Sequence, residues 1–95
     1  MENAEHYFYV LRCKDGSYYG GYTNNLERRM KAHNEGKGAK YTRGRGPVVL
    51  IFNKRYANKS DALKAEYQFK RLPRKKKDEF LLMERSDGDV AAKEL

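Results

Sequence analysis

Two short runs rich in tyrosine constrain the fold of this chain more than any other feature. They cover residues 7–11 and 18–23, and the dipeptide Asp15-Gly16 lies between them. Aromatic and β-branched residues are typical of strands, and Asp-Gly is a frequent hairpin turn. The pattern therefore predicts an antiparallel β-hairpin near the start of the chain.

Alternation along these two strands predicts which side chains lie together. Because successive side chains of a strand point to opposite faces, Tyr9 shares a face with Leu11, and Tyr19 shares one with Gly21. Gly20 and Gly21 carry no side chains, so the second strand is expected to leave room for close approach.

A first helix is predicted directly after the hairpin. Asn24 or Asn25 can cap it, because an asparagine side chain accepts a hydrogen bond from a backbone N–H of the first turn. At helical spacing one stripe of this helix carries Leu26, Met30 and His33. Arg29 lies at the border of that stripe.

The remaining elements are predicted from glycine and proline, which interrupt helices and strands, and from apolar runs. Residues 34–47 are rich in glycine and basic residues and are expected to form a mobile cationic loop. The continuous apolar run 48–52 predicts a third strand, buried on both faces. Residues 60–72 form a second helix capped by Ser60-Asp61 and limited by a proline, and residues 74–85 form a third.

Length and charge limit the class of protein. With 95 residues the chain forms one domain, predicted over residues 6–85, with residues 86–95 as a flexible tail. Twenty-one Lys and Arg against 13 Asp and Glu leave a net charge of +8. Such an excess on a small domain attracts polyanions, and nucleic acid is the expected partner.

The cysteine count and the apolar pattern predict the compartment. Cys13 is the single cysteine, so it forms no intramolecular disulfide and no cysteine-based zinc site, and it reads as a core residue. No apolar run approaches the roughly 18 residues needed to span a bilayer, and the first six residues lack the features of a signal peptide. We therefore expect a soluble cytoplasmic protein without membrane contact.

Two polar side chains sit where apolar ones are expected. Glu66 projects from the apolar arc of the second helix, so it requires a cation, donors or an open cleft; an ordinary ion pair with Lys70, four residues on, is the alternative to a functional role. His33 on its apolar stripe is either a satisfied core residue or part of a site.

The order of these residues resembles the GIY-YIG endonuclease superfamily, in particular its small stand-alone bacterial branch. Tyr9 matches the tyrosine of the first motif, and Tyr19 and Gly21 match the outer positions of the second. Arg29 follows that glycine by eight residues, and a distant glutamate, Glu66, completes the set. The central isoleucine of the second motif is replaced here by a glycine, and Tyr7-Phe8 replaces the first Gly-Ile.

The resemblance implies an α+β fold, a three-stranded antiparallel sheet flanked by about three helices, and a catalytic set of Tyr9, Tyr19, Arg29, His33 and Glu66. Tyr19, with Tyr9 nearby, would orient or deprotonate the attacking water. A free phenol has a pKa near 10, so a base role requires adjacent cations. Arg29 would stabilise the phosphate charge, Glu66 would hold Mg²⁺, with Mn²⁺ as a substitute, and His33 would assist proton transfer or bind phosphate.

The cationic loop is the expected nucleic-acid-binding surface. Its basic side chains are predicted to contact the phosphate backbone, and Tyr41 either stacks on a base or anchors the loop. These residues are Lys37, Lys40, Tyr41, Arg43 and Arg45.

The sequence as a whole indicates a metal-dependent endonuclease acting on DNA, with RNA as the less favoured substrate and no obligate protein partner. One alternative is a nucleic-acid-binding module that keeps the site without cutting. A third is a scaffold whose positive face docks an acidic protein.

Overall fold

A three-stranded antiparallel sheet, with the first strand of the chain in the middle, organises the protein. The computed structural model describes residues 5–38 and 42–89, with the backbone alone for 85–89. The strands are β1 His6–Arg12, β2 Tyr18–Thr23 and β3 Val49–Tyr56. Helix α1 Leu26–Asn34 follows β2, and α2 Lys59–Arg71 and α3 Arg74–Asp89 follow β3. This confirms the predicted α+β fold.

Strand β1 is the central strand, and both of its faces are covered. Phe8 and Val10 point to one face, where they pack against Phe69 of α2 and residues of α3. Tyr9 and Leu11 point to the other face, which packs against apolar residues of α1. The sheet therefore separates α1 on one side from α2 and α3 on the other, and the predicted alternation is confirmed.

The prediction that the apolar run 48–52 is buried on both faces is correct only in part. Strand β3 pairs only with β1 and forms an edge of the sheet, and Val49 is 50% exposed. A bulge between Val10 and Leu11 places Leu50 opposite Leu11 and Phe52 opposite Val10. The run thus packs on both faces of the sheet, through Val48 and Leu50 on the Tyr9 side and through Ile51 and Phe52 on the Phe8 side. The residues of β3 are only partly buried, whereas the central residues of β1 are buried.

The ends of the helices differ in part from those predicted. Asn25 caps α1, as one of the two expected candidates, by accepting from the backbone N–H of Arg28. Ser60-Asp61 does not cap α2; the cap is Asn58, whose side chain accepts from the backbone N–H of Asp61 at 2.8 Å. Asparagine and serine are both good caps, so composition alone did not separate them.

The C-terminal part of the chain is helical beyond the predicted end. α2 ends at Arg71, before Pro73, as expected from the missing N–H and the ring of proline. α3 continues to Asp89, past residue 85. Residues 90–95 of the predicted tail lie outside the described residues, and its flexibility stays a prediction.

In residues 5–38 and 42–89, no helix is long and apolar enough to cross a membrane.

Candidate active site

Tyr9 is the centre of the candidate site. It lies in the middle strand, opposite Gly21 of β2, and is 0% exposed. Arg29 Nε donates to Tyr9 Oη at 3.3 Å, and His33 Nε2 lies 3.0 Å from the same oxygen. Two residues of α1, one helical turn apart, are thereby bound to one buried phenol.

Gly21 is required by the position of this phenol. A Cβ built on Gly21 would lie 2.5 Å from both Cζ and Oη of Tyr9, and 3.0 Å from Cε2 of Tyr19. No real side chain tolerates such contacts, so only glycine fits between the two tyrosines. The close approach expected from the glycines of this strand occurs, and the group that approaches Gly21 is Tyr9.

His33 is buried and bonded at both ring nitrogens. It is 2% exposed, and its Nδ1 lies 2.9 Å from Oγ1 of Thr42, which is itself 2% exposed. Burial, with a further contribution from the Arg29 charge, lowers the pKa of His33 to about 4. The ring is therefore neutral at pH 7. A side chain this buried does not reach a bound phosphate, so any contribution to chemistry passes through Tyr9.

The protons of this chain of hydrogen bonds can be assigned from the donors available. Arg29 can only donate, so Tyr9 Oη accepts from it, and the O–H of Tyr9 still needs an acceptor. Neutral His33 offers one acceptor nitrogen and one N–H. Donation from Tyr9 to Nε2, and from Nδ1–H to Thr42, satisfies all three groups. We assign this tautomer.

Burial keeps the Tyr9 phenol protonated. Loss of solvent raises the pKa of Tyr9 to about 12, and the hydrogen bond from Arg29 opposes that rise without cancelling it. The expected lowering by an adjacent cation is present but is the smaller effect, because a phenolate without water is poorly stabilised.

Tyr19 differs from Tyr9 in being half-buried. Its ring centroid lies 6.3 Å from that of Tyr9 and 5.5 Å from that of His33. Arg29 interacts with both phenols, and its pKa is raised first by the hydrogen bond to Tyr9 and further by Tyr19. Of the two tyrosines in the predicted catalytic set, Tyr19 is the one that solvent or substrate can reach.

Glu66 forms the ion pair that was the alternative to a functional role. Its carboxylate Oε2 lies 2.8 Å from Nζ of Lys70, so the predicted ion pair exists, and its side chain is only 16% exposed. The Glu66 charge also contributes to the raised pKa of Tyr9, and Lys70 Nζ lies 5.9 Å from the Tyr19 ring centroid. The ion pair therefore stands beside the tyrosines rather than apart from them.

The cations of the loop differ in exposure. Lys37 and Arg43 are exposed, whereas Arg45 is half-buried and its Nε donates to Asp15 Oδ2 at 3.2 Å. Lys40 and Tyr41, also predicted to bind nucleic acid, lie outside the described residues.

Thr42 and Gly38 are site residues that the sequence did not indicate. A side chain at Gly38 would collide with the His33 ring, so this glycine allows the loop to close over the histidine. Thr42 bonds that ring from nine residues further along the chain. Neither contact has a local sequence signal, because both depend on the path of an irregular loop.

A family model described as the GIY-YIG catalytic domain matches residues 5–79. The chain therefore belongs to the GIY-YIG family, as the order of its motifs indicated. This membership points to a nuclease domain and implies interaction with nucleic acid.

Bacterial proteins of the same size are similar to the chain over most of its length. The UPF0213 protein YazA of Bacillus subtilis is 54% identical over 90 residues, covering 95% of this chain and 91% of that protein. A UPF0213 protein of Bacillus licheniformis is 54% identical over 88 residues, covering 93% and 91%. Their names state no activity or substrate. The predicted small single-domain branch is thus confirmed.

Two solution NMR structures share the fold. The UPF0213 protein of Bacillus halodurans is 49% identical with a TM-score of 0.58, over 83% of this chain and 84% of that one. A protein of E. faecalis is 52% identical with a TM-score of 0.60, over 87% and 90%.

Proposed function

We propose that this protein is a metal-dependent endonuclease that hydrolyses phosphodiester bonds in DNA, with RNA as the alternative substrate. The observation that carries the proposal is the convergence of four side chains from three elements around the buried phenol of Tyr9. Tyr9 comes from β1, Tyr19 from β2, Arg29 and His33 from α1, and Glu66 from α2.

The exposure of the two tyrosines supports a division of roles. Hydrolysis requires a water oriented for attack on phosphorus, and half-buried Tyr19 is accessible for that contact. Tyr9 is sealed and protonated, so it acts as a positioning residue that holds Arg29 against the site. Arg29 then donates to the phosphate oxygens, where its fixed charge stabilises the transition state.

Glu66 is the residue that would hold Mg²⁺. Among the described residues no group of three carboxylate, histidine or cysteine side chains could form a metal cage. A single carboxylate nonetheless fits Mg²⁺, which binds through one or two carboxylates together with waters and substrate phosphates. The metal supplies charge neutralisation at the cleaved phosphate. Because Lys70 already pairs with Glu66, we expect weak metal binding without nucleic acid.

The same ion pair favours a second candidate, a nucleic-acid-binding module without cleavage. If Lys70 remains on the carboxylate, the ammonium replaces the metal, and the site retains affinity for phosphate but lacks the cofactor.

A cytoplasmic location and the absence of an obligate protein partner also stay predictions.

Cleavage assays with a matched pair of carboxylate variants test the proposal. Labelled single-stranded, duplex, flapped and branched DNAs, with RNA counterparts, are incubated with Mg²⁺, Mn²⁺ or EDTA. We expect wild type to cut at least one of them, and both E66Q and EDTA to abolish cutting. E79Q is the control, because Glu79 forms an exposed surface pair with Lys76 at 3.5 Å, and it should cut like wild type.

Binding measured in parallel separates the two candidates. A nuclease predicts that E66Q keeps its DNA affinity while losing cleavage. If wild type binds every substrate and cuts none with either metal, the endonuclease proposal fails and the binding module replaces it. Equal cutting by wild type and E66Q would indicate a contaminating nuclease.

A further inference from the structure

A groove of about 340 Å³ lies between strand β2 and helices α2 and α3, next to the candidate site. It is lined by Tyr18, Tyr19, Gly20, Phe69, Lys70 and Lys77. Tyr19 and Lys70 also belong to the cluster around Tyr9 and Glu66. A molecule in this groove therefore lies directly beside the site.

Gly20 keeps the floor of the groove open. A Cβ at this position would lie 3.1 Å from Cδ2 of Phe69, tighter than most real contacts, and a longer side chain would project into the space. Tyr18 is held at the rim, where its hydroxyl donates to Asp78 at 2.6 Å and the Arg74 guanidinium stacks 4.1 Å from its ring centroid. The shape of the groove is thus set by the glycine at its floor and by the contacts of Tyr18 at its rim.

Lys77 brings to the groove a positive charge with which no carboxylate of the described side chains pairs. On the same helix Arg74 pairs with Asp78, and Lys76 pairs with Glu79. Among the described side chains none of the carboxylates pairs with Lys77, whose Nζ lies 5.6 Å from the Phe69 ring centroid inside the groove. The ammonium is thus within cation–π distance of the Phe69 ring.

We propose that this groove binds the phosphate backbone of nucleic acid next to the cleaved phosphate, with Lys77 and Lys70 as the contacts. The inference rests on the proposed function, because it takes Tyr19 as the point where the substrate reacts. A larger groove of about 530 Å³ is lined in part by Glu5 and Glu27, whose charges would repel phosphate. The second backbone-binding surface is therefore on the α2–α3 side.

A pair of lysine variants on one helix tests the groove. Lys75 is the matched control, since it is exposed, belongs to the same helix turn and does not line the groove. Binding of fluorescein-labelled duplex and single-stranded DNA is followed by anisotropy in EDTA, between about 50 and 200 mM salt. K77Q should bind several-fold more weakly and flatten the slope of log affinity against log salt by about 1, whereas K75Q should keep the wild-type slope.

The outcomes separate the groove from the nuclease. Equal effects of K77Q and K75Q on DNA binding would overturn the proposal that the groove binds the backbone. If wild type still cuts DNA in that case, the proposed nuclease function stands without the groove. A selective effect of K77Q supports the groove even if no substrate is cut, in which case the nuclease proposal alone fails. Absence of wild-type binding at low salt overturns the groove whatever the cleavage assay shows. Thermal unfolding of each variant confirms that both fold.

Discussion

The hydrogen bonds of Thr42, His33 and Tyr9 tie the loop before β3 to the buried phenol. All three side chains are buried, and the two links are 2.9 and 3.0 Å long. In such surroundings a polar group without a partner costs free energy, so each link depends on the next. Thr42 is therefore a positioning residue for the candidate site, although it touches no substrate.

Replacing Thr42 by valine tests this chain. T42V keeps the shape and removes the acceptor of the His33 Nδ1–H, which should lower the free energy of unfolding by about 1–3 kcal/mol. T42S restores the hydroxyl and should lose clearly less. Nitrogen NMR shifts of the His33 ring are expected to show Nδ1 protonated in wild type. Protonation at Nε2 would contradict the assigned tautomer. Equal destabilisation by both variants would show that the Thr42 hydroxyl does not stabilise the fold.

The pKa of His33 predicts a loss of stability in acid. Because the folded pKa is about 4 and the ordinary value is 6.5, the unfolded chain binds a proton between these pH values that the folded chain excludes. Stability is thus fully present above pH 6.5 and falls as the pH drops toward 4. The loss approaches about 3 kcal/mol at most.

Urea unfolding at a series of pH values measures this effect. H33Q lacks the titrating ring but keeps every carboxylate, so its stability should fall less steeply than that of wild type between pH 6.5 and 4. Parallel pH dependences for the two proteins would show that His33 does not titrate as its burial indicates.

At the scale of elements, α2 carries the ion pair of the site, Glu66 and Lys70, and the N-terminal cap of α2 sets where this helix begins. The structure assigns its cap to Asn58, and Ser60, the residue favoured by the sequence, lies exposed within the first turn. N58A should therefore reduce the free energy of unfolding by about 1 kcal/mol. S60A should change it by less than about 0.5 kcal/mol, as do most exposed substitutions. Thermal or urea unfolding measures both losses. A larger loss for S60A than for N58A would show that Ser60 caps the helix.

Local sequence patterns predicted the bounds of strands and helices better than the burial of those elements or their contacts with distant residues. The aromatic runs of β1 and β2 and the proline after α2 are local signals, and they placed these elements within one or two residues. The burial of β3 was predicted only in part, because its edge position depends on the order of strands in the whole sheet. In the site, Tyr9 and Glu66 were found through the order of motifs, whereas Thr42 was not, since its contact depends on the loop path.

At the scale of the molecule, positive charge meets the candidate site from two sides. The loop reaches it through Thr42 at His33, and the groove reaches it through Lys70 at Tyr19. Tyr19 lies between them, since its ring centroid is 5.5 Å from that of His33 and 5.9 Å from Lys70 Nζ. In the proposed function, a polyanion that contacts both sides would therefore pass Tyr19.

The salt dependence of DNA binding measures how many loop cations take part. If the four basic residues of the loop each neutralise one phosphate, the slope of log affinity against log salt on duplex DNA is about −3.6. Arg43 and Arg45 should not contribute equally. Arg43 is exposed, whereas Arg45 is bound to Asp15 and must leave that carboxylate to reach a phosphate. R43Q should flatten the slope by about 0.9, and R45Q by less.

Anisotropy titrations with one DNA duplex provide both slopes, and a matched protein concentration series confirms that each variant is fully active for binding. A larger effect of R45Q would mean that the pair with Asp15 opens when DNA binds, so that the hairpin turn of β1 and β2 joins the interface. A slope unchanged by either variant would place the contact surface away from the loop and leave the α2–α3 groove as the main route by which the backbone reaches Tyr19.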